Sequence, residues 1–264
     1  MTEQRPLLMA RFLGGFRVTV DDVAVDTGPR RRARQMLAYL LANRRAPVPR
    51  DVLADTFWPD AEPEAARNNL HVTLSYIRRA LRAAHPGVAV ERRFEAYRIA
   101  GTATIWTDVE QFARHRSDGA QADRHGDRSA AMRDYEAACQ LYDGDFLADD
   151  PYAEWAVPVR EAVRLDVIDV HARLVEWYVE QRALGPATML ARRLLEIDPC
   201  NEAAHQRLMW CYAATGQRHL ALSQYHRLVE LLWKSLRVPP SARTTELFRE
   251  LCHPRPERGT RLAS

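Results

Sequence analysis

Long apolar runs, clustered cysteines and glycine-rich motifs are what this 264-residue sequence lacks. Its four cysteines lie far apart and form no CxxC pair, so we expect reduced thiols and neither a disulfide framework nor a zinc knuckle. No apolar run approaches the roughly 20 residues of a membrane span. Residues 1–6 are polar and are not followed by the apolar core of a signal peptide, which predicts a cytoplasmic protein.

Motifs of catalytic and nucleotide-binding sites are absent as well. The sequence contains no GxxxxGK[ST], GxGxxG or GxSxG, and its nine histidines lack the HExxH spacing of a zinc site. One acidic cluster lacks the order of a calcium loop and is interpreted as an exposed inter-helix loop: Asp143, Asp145, Asp149 and Asp150. The sequence therefore predicts no enzyme, no metal site and no cofactor.

Lysine is almost missing, since Lys234 is the one lysine among 38 basic residues. The net charge of +3 conceals an asymmetry along the chain. Residues 1–100 contain 17 Arg and 11 acidic residues, a net charge of +6, whereas residues 101–264 contain 21 basic and 24 acidic residues, a net charge of −3. A basic first part joined to a mildly acidic remainder is typical of a polyanion-binding module joined to a second module.

The first hundred residues predict strands, three helices and a hairpin. Alternating apolar and polar residues over 7–25 predict an antiparallel meander. Helical spacing predicts helices over 30–44, 51–57 and 64–84, and two short strands with a turn fit 88–99. This order is that of a helix-turn-helix with a wing. An arginine cluster begins the first helix, and either phosphate binding or an exposed run without function explains it: Arg30, Arg31, Arg32 and Arg34.

The third predicted helix is the most informative segment. Four apolar residues at steps of four, three and four lie within an arc of ~60° and form its buried stripe: Leu70, Leu74, Ile77 and Leu81. The opposite face has no acidic residue between Arg67 and Arg82. Its amide, hydroxyl, aromatic and guanidinium groups are those that contact base edges and phosphates.

At this point the sequence resembles a known family. The stretch Ala65–Leu81 (AARNNLHVTLSYIRRAL), with a hairpin that contains Tyr97-Arg98-Ile99, resembles the winged-helix effector domain of OmpR-type response regulators. More specifically, the arginine-rich first helix, Arg50-Asp51-Val52-Leu53 and Phe57-Trp58-Pro59-Asp60 resemble the SARP-type (antibiotic regulatory protein) transcriptional activators. The resemblance implies that the third helix enters the major groove of DNA.

The resemblance also implies roles for individual residues. Those facing bases would be His71, Val72 and Tyr76. Those meeting phosphates or flanking bases would be Asn68, Ser75, Arg78 and Arg79, and Arg67, Asn69 and Thr73 complete the implied contact set on this helix. Tyr97 with Arg92 or Arg93 would place the wing on the DNA backbone, although Glu95-Ala96 stands where the family has a glycine before the Tyr. The loop presented to RNA polymerase would contain Pro59, Asp60, Glu62 and Pro63.

The remainder of the chain predicts helices in a repeat. Six identities lie 34 residues apart, which is the tetratricopeptide period: Leu174/Leu208, Tyr178/Tyr212, Ala187/Ala221, Arg193/Arg227, Leu194/Leu228 and Glu196/Glu230. Gly185 and Gly216 are predicted in the turns between paired helices. A weaker copy of the repeat begins with a helix predicted over 108–125. A capping helix is predicted over 244–252. This part resembles the bacterial transcriptional activation domain of SARP-type regulators through Leu141–Leu147 (LYDGDFL), Trp155, Arg160, Arg207-Leu208-Met209 and Ala221–Tyr225 (ALSQY).

The sequence thus predicts a mainly α protein with a small β component. We expect a disordered N-terminus at 1–6, a winged helix-turn-helix at 7–104, an all-α tetratricopeptide-like activation domain at 105–252 and a flexible tail at 253–264. By resemblance, two protomers would bind direct repeats in double-stranded promoter DNA. They would recruit RNA polymerase holoenzyme through its sigma factor or alpha subunit and activate an antibiotic gene cluster. A ligand-gated repressor or sensor, and an interaction scaffold that does not bind DNA, are the two alternatives.

Overall fold

The computed structural model describes residues 5–99 and 103–253. Of the N-terminus predicted to be disordered at 1–6, residues 1–4 lie outside the described residues, whereas Pro6 is buried and its carbonyl accepts the backbone N–H of Thr104 at 2.9 Å. Of the flexible tail predicted at 253–264, residues 254–264 lie outside the described residues. The described residues form two compact units. One contains those up to Ser117 together with Gln140–Val163, and the other contains Asp118–Cys139 and those from Arg164 onward. In the described parts, no helix has the length and apolarity needed to cross a membrane.

The first unit contains a meander, three helices and a hairpin in the predicted order. Helix ends agree with the sequence-based bounds to within two residues. The elements are β1 Leu7–Arg11, β2 Arg17–Val20, β3 Val23–Ala24, α1 Arg31–Ala42, β4 Val48–Pro49, α2 Arg50–Phe57, α3 Pro63–Ala84, β5 Val90–Arg93, β6 Ala96–Ile99 and β7 Thr104–Thr107.

Two small sheets belong to this unit, with strand orders β3-β2-β1-β7 and β4-β6-β5. β1 is antiparallel to β2, with Leu8 opposite Val20, as the meander predicts. It is also parallel to β7, where Leu8 pairs with Ile105, and the sequence does not predict this pairing. The fully buried side chains of the unit come from both sheets and all three helices, and they include Leu8, Leu40, Leu53, Leu74 and Tyr97.

The next helix, α4 (Asp108–Arg124), follows β7 directly, and its first residue holds the end of β1. The Asp108 carboxylate accepts the backbone N–H of Phe12 at 2.8 Å and that of Leu13 at 2.9 Å. Burial raises the pKa of the Asp108 carboxyl, while the backbone donors favour its charged form and oppose that rise. This carboxylate therefore satisfies backbone groups that the strand leaves unpaired.

Residues 143–150 pack in the first unit. The backbone N–H of Leu147 donates to the carbonyl of Phe12 at 2.9 Å, and the rings of Phe12 and Phe146 stack with centroids 5.2 Å apart. Gly14 adopts a φ of +102°, and a Cβ built on Gly144 would lie 3.3 Å from the Cα of Gly14. The segment is thus held against the end of β1 by close backbone packing that glycine permits.

The acidic cluster in this segment is only in part the exposed loop that the sequence predicts, since Asp143 and Asp149 are exposed and Asp145 is half-buried. Asp150 is buried and accepts hydrogen bonds from Gln35 Nε2 and Arg31 Nη2, both at 2.5 Å. Asp149 accepts the backbone N–H of Phe16 at 3.1 Å and an ion-paired hydrogen bond from Arg34. Two members of the cluster therefore neutralise arginines of α1.

Within residues 103–253, six further helices follow α4, apart from a short 3-10 helix at Glu154–Ala156: α5 Arg128–Leu141, α6 Val157–Glu180, α7 Leu184–Ile197, α8 Glu202–Ala214, α9 Arg218–Leu236 and α10 Ala242–Cys252. The helices α7, α8 and α9 pack successively, and α10 lies against α8 and α9, which is the predicted repeat arrangement closed by a capping helix. Three of the repeated pairs are almost fully buried: Leu174/Leu208, Ala187/Ala221 and Leu194/Leu228.

The turn predicted at Gly185 lies elsewhere. Gly216 follows α8 with a φ of +76°, as expected for a residue after a helix C-terminus. The residue 34 positions earlier is Arg182, which follows α6 with a φ of +57°, whereas Gly185 lies in the first turn of α7. The prediction for Gly185 is therefore wrong, because the equivalent turn places an arginine in the left-handed region.

We expect Arg182→Gly to raise the melting temperature, because glycine relieves the left-handed strain of a residue with a Cβ. Gly216→Ala should lower it, and each shift should be roughly 2–4 °C, which corresponds to ~1 kcal/mol. Thermal unfolding followed by circular dichroism measures both. Gly185→Ala is the matched control: its Cβ would meet open space, so the melting temperature should not fall. A lower melting temperature for Arg182→Gly would contradict this account of the turn.

Candidate nucleic-acid interface

α3 is oriented by its apolar stripe. Leu70, Leu74, Ile77 and Leu81 each have 0% exposure. Pro63 occupies the first turn, where the missing N–H needs no helical partner. Because the helix turns by ~100° per residue, burial of this stripe directs the opposite face outward. The exposed side chains on that side and its flanks are Arg67, Asn68, Asn69, His71, Val72, Ser75, Arg79 and Arg82.

Val72 is the one large apolar residue of α3 with high exposure, at 53%. The hydroxyl of Ser75 donates to the carbonyl of His71 at 2.8 Å, so its oxygen can still accept a hydrogen bond from an outside donor. In the described parts of the chain, Arg67, Arg79 and Arg82 have no salt-bridge partner. This face therefore offers guanidinium, amide and imidazole groups around an exposed valine.

Two predicted contact residues are half-buried and already make contacts within the unit. The guanidinium carbon of Arg30 lies 3.6 Å from the ring centroid of Tyr76, which is a cation–π contact. Arg78 Nε donates to the carbonyl of Val90 at 3.1 Å, which links α3 to β5. Tyr76 and Arg78 therefore position elements of the first unit, and only parts of their side chains face solvent.

Two other predicted contact residues are buried. Thr73 is 7% exposed and lies on the side of α3 that carries the apolar stripe. Tyr97 is 2% exposed, and its strand β6 lies between β4 and β5. The expectation that these two side chains reach DNA is therefore wrong, because packing against the core covers them.

The hairpin of β5 and β6 presents a different aromatic residue. Phe94 lies in its two-residue turn with a φ of +52° and an exposure of 94%. Arg92 Nε donates to the Phe94 carbonyl at 2.9 Å, and Arg92 also pairs with Glu95 at 2.5 Å. Sequence reasoning did not identify Phe94, although the absence of a glycine before Tyr97 marked the turn as unusual.

Glu95 also connects the hairpin to the start of α2. Arg50 Nη1 lies 2.6 Å from a Glu95 carboxylate oxygen, and the backbone N–H of Arg50 donates to the Glu95 carbonyl at 2.7 Å. A side-chain hydrogen bond to Asp51 raises the pKa of Arg50, and the charge of Glu95 adds to that rise. Arg93, next to Phe94, is exposed and makes no ion pair within the described residues.

The arginines at the start of α1 contact groups of the protein itself. Arg31 and Arg34 pair with Asp150 and Asp149, and Arg30 covers the ring of Tyr76. The sequence left phosphate binding and an exposed run without function as the two interpretations, and both stay predictions, because Arg31 is 62% exposed beside its partner.

The predicted polymerase loop joins α2 to α3. Pro59, Asp60, Glu62 and Pro63 are all exposed, and Pro63 is the first residue of α3. The loop thus presents two carboxylates to solvent beside the N-terminus of α3.

Two protein families match the chain by sequence. The bacterial transcriptional activator domain matches residues 107–252, and the C-terminal domain of transcriptional regulatory proteins matches residues 28–98. The two matches follow one another along the chain and together span most of it.

Three curated relatives are each 27% identical to the chain. Transcriptional regulatory protein MoaR1 of Mycobacterium tuberculosis aligns over 227 residues, which are 83% of this chain and 71% of that protein. Transcriptional regulatory protein EmbR of M. tuberculosis aligns over 234 residues, 86% of this chain and 59% of that protein. Regulatory protein DnrI of Streptomyces peucetius aligns over 227 residues, 82% of each.

A solved structure of M. tuberculosis EmbR in complex with a low affinity phosphopeptide aligns with a TM-score of 0.72 at 24% identity. The alignment covers 95% of this chain and 66% of the EmbR chain. This chain therefore spans about two thirds of the length of the solved EmbR chain. The likeness concerns the fold, and it confirms the predicted class of a winged helix followed by an all-α repeat domain.

We predict that Arg79→Ala weakens binding to every duplex and reduces the slope of log K against log salt by about one unit, because one phosphate contact is lost. Binding to a random-sequence duplex, followed by fluorescence anisotropy at several salt concentrations, measures both quantities. Arg182→Ala, at an exposed arginine of the second unit, is the control and should leave the slope unchanged. An unchanged slope for Arg79→Ala would remove this residue from the interface.

Val72→Ala should have a different effect, because an aliphatic side chain contacts base edges and not phosphates. We expect a loss of discrimination of ~1–3 kcal/mol at one base position, with non-specific affinity nearly unchanged. Selection of preferred sequences from a random duplex library measures the change. If the selected site is the same for both proteins, the exposed face of α3 does not lie on the bases as proposed.

Proposed function

Because the chain belongs to the SARP-type family of transcriptional regulators, we propose that it activates transcription by binding specific promoter DNA through α3 and the β5–β6 hairpin. The winged helix would supply the DNA contacts, and the activator domain would contact protein partners. The resemblance drawn from the sequence is thereby confirmed at the level of the family. A nucleoid-associated location follows from this proposal.

The observation that supports DNA binding best is the exposed face of α3. From Arg67 to Arg82 it contains no acidic residue, and three of its arginines, Arg67, Arg79 and Arg82, carry no salt bridge in the chain as described. A solvated helix face normally mixes charges of both signs, whereas a phosphate-binding face keeps unpaired cations. Amide and imidazole groups among those cations provide donors and acceptors for base edges.

The promoter arrangement and the polymerase contact are proposed from the family resemblance. Two protomers would bind direct repeats head to tail, and the loop with Asp60 and Glu62 would contact RNA polymerase through its sigma factor or alpha subunit. The regulated genes would form an antibiotic biosynthetic cluster. The exposure of both carboxylates supports the loop as a contact surface.

In vitro selection with the full chain tests DNA binding directly. A protein that neutralises 6–10 phosphates should give a slope of log K against log salt of roughly −5 to −9 on the selected duplex. The measurement is fluorescence anisotropy between low and physiological salt. A flat slope with no selected sequence would favour the interaction scaffold, the alternative without DNA binding.

We predict that the double variant Asp60→Ala, Glu62→Ala binds the selected duplex with unchanged affinity but loses most of the transcriptional activation. Removal of the two carboxylates abolishes a protein contact and spares the face of α3. Single-round transcription by purified RNA polymerase holoenzyme from a template with the selected site measures it.

Asp55→Ala, at an exposed carboxylate of α2, serves as the control and should keep full activation. If the double variant activates as the unchanged protein does, the loop is not the polymerase contact. If the unchanged protein lowers transcription from the template, the protein is a repressor.

One observation keeps the ligand-gated alternative open. In the second unit, a cavity of about 690 Å³ is lined by residues of α7, α8 and α9, among them Arg192, Tyr212 and Arg227. Both the Nε and the Nη2 of Arg192 donate to the hydroxyl of Tyr212, at 3.0 and 2.8 Å. The lining also includes Glu196 and three leucines, so it offers charges of both signs beside apolar surface. A ligand-dependent change in the transcription assay would identify such a regulator.

A further inference from the structure

Phe94 at the tip of the β5–β6 hairpin is the most exposed large apolar side chain among the described residues, at 94%. It occupies the first position of a two-residue turn between Arg93 and Ala96, which are paired across the hairpin. Its φ of +52° lies in the left-handed region. Such a turn position favours glycine, asparagine or aspartate, and a bulky side chain there is strained.

Folding stability does not explain this residue. The ring makes almost no contact with the protein, so its burial contributes nothing to the core, and the backbone beneath it is strained. A strained backbone with a solvated apolar group is more typical of a binding site than of a structural turn.

The turn is nevertheless held in one geometry. Arg92 bonds the Phe94 carbonyl and the Glu95 carboxylate, and Arg50 bonds the Glu95 carboxylate and carbonyl. These contacts fix the backbone on which the ring stands. Because this backbone is already fixed, it loses little further conformational entropy when the ring is inserted into a partner.

The neighbours of Phe94 indicate the chemistry of that partner. Arg93 is exposed and has no ion-pair partner in the described residues, so the tip combines an aromatic ring with a free cation. The bond from Arg78 of α3 to Val90 of β5 fixes the start of this hairpin relative to the helix proposed to contact bases. Beside a helix in the major groove, the negative minor groove attracts arginine, and base steps accept apolar wedges.

We propose that Phe94 is an apolar wedge that inserts from the hairpin tip between base pairs in the minor groove, unstacks one base step and bends the duplex. Arg93 accompanies it and contacts the adjoining phosphate or groove edge. This inference rests on the proposed function, since it assumes that α3 binds DNA. It also replaces Tyr97, which is buried, as the aromatic residue that the hairpin offers to DNA.

The test uses the full chain and the duplex selected in vitro. End-attached donor and acceptor dyes report bending, and 2-aminopurine placed at positions flanking the α3 site reports unstacking. We expect the unchanged protein to bend the duplex by 20° or more, as wedge-inserting proteins do (about 20–90°), and to raise 2-aminopurine fluorescence at one step. Phe94→Gly should lose the fluorescence rise and most of the bend, and should bind roughly tenfold more weakly.

Three controls distinguish insertion of the ring from unfolding, from loss of a charge contact and from loss of exposed aromatic surface in general. Phe94→Gly should melt no lower than the unchanged protein, because glycine suits the positive φ, so weaker binding would not reflect unfolding. Its salt slope should also stay unchanged, whereas Arg93→Ala should reduce the slope by about one unit. Tyr152→Ala removes another exposed aromatic residue of the same unit, 84% exposed, and should leave binding and bending intact.

Each contrary result has a distinct meaning. Equal affinity, bending and fluorescence for Phe94→Gly would overturn the wedge and leave the proposed function standing. Equal DNA binding and bending with lost transcriptional activation would also overturn it, because the ring would then contact a protein partner. Absence of salt-dependent DNA binding by the unchanged protein would overturn both the proposed function and the wedge.

Discussion

Burial of the apolar stripe on α3 is the constraint from which the candidate interface follows. Full burial of an aliphatic side chain contributes about 1.5–3 kcal/mol relative to exposure, so four such residues contribute roughly 6–12 kcal/mol. That is comparable to the whole stability of a domain, about 5–15 kcal/mol. A slip of one residue would rotate the helix by ~100° and expose Leu74 or Ile77 in place of Asn68 or Val72. The side chains offered to a partner are therefore set by the residues on the opposite face.

The internal ion pairs of the first unit limit how much of its positive charge is free. Arg31, Arg34, Arg44 and Arg50 all have carboxylate partners in this unit. Arg31 is 62% exposed and pairs with an almost buried Asp150, so the bond satisfies the aspartate more than it stabilises the fold. Among the described residues up to Ile99, arginines without a carboxylate partner occur on α3 and the hairpin (Arg67, Arg78, Arg79, Arg82 and Arg93) and also outside them (Arg5, Arg11, Arg17, Arg30 and Arg32). In the proposed complex, those on α3 and the hairpin contribute long-range attraction to phosphates.

Local periodicity accounts for what could be predicted. The stripe of α3, the meander, the hairpin and the 34-residue repeat each depend on spacing within one segment, and the structure contains them all. The parallel pairing of Leu8 with Ile105 and the stacking of Phe12 on Phe146 join segments far apart in sequence, and no spacing reports such contacts. The inward orientation of Tyr97 depends on the strands beside it. Arg182 was missed because glycine is the usual, and not the required, residue in a left-handed turn.

The sequence left open whether Arg92 or Arg93 contacts the DNA backbone, and the pleat of the hairpin favours Arg93. Residues directly opposite each other on antiparallel strands project to the same face of the sheet, and successive residues alternate. Arg92 is opposite the buried Tyr97, and its guanidinium turns to the Phe94 carbonyl and Glu95. Arg93 is opposite Ala96 on the other face, where no carboxylate of the described residues reaches it. Arg92 therefore stabilises the turn, and Arg93 remains available to bind a phosphate. With two arginines at its tip, the hairpin is both rigid and electropositive.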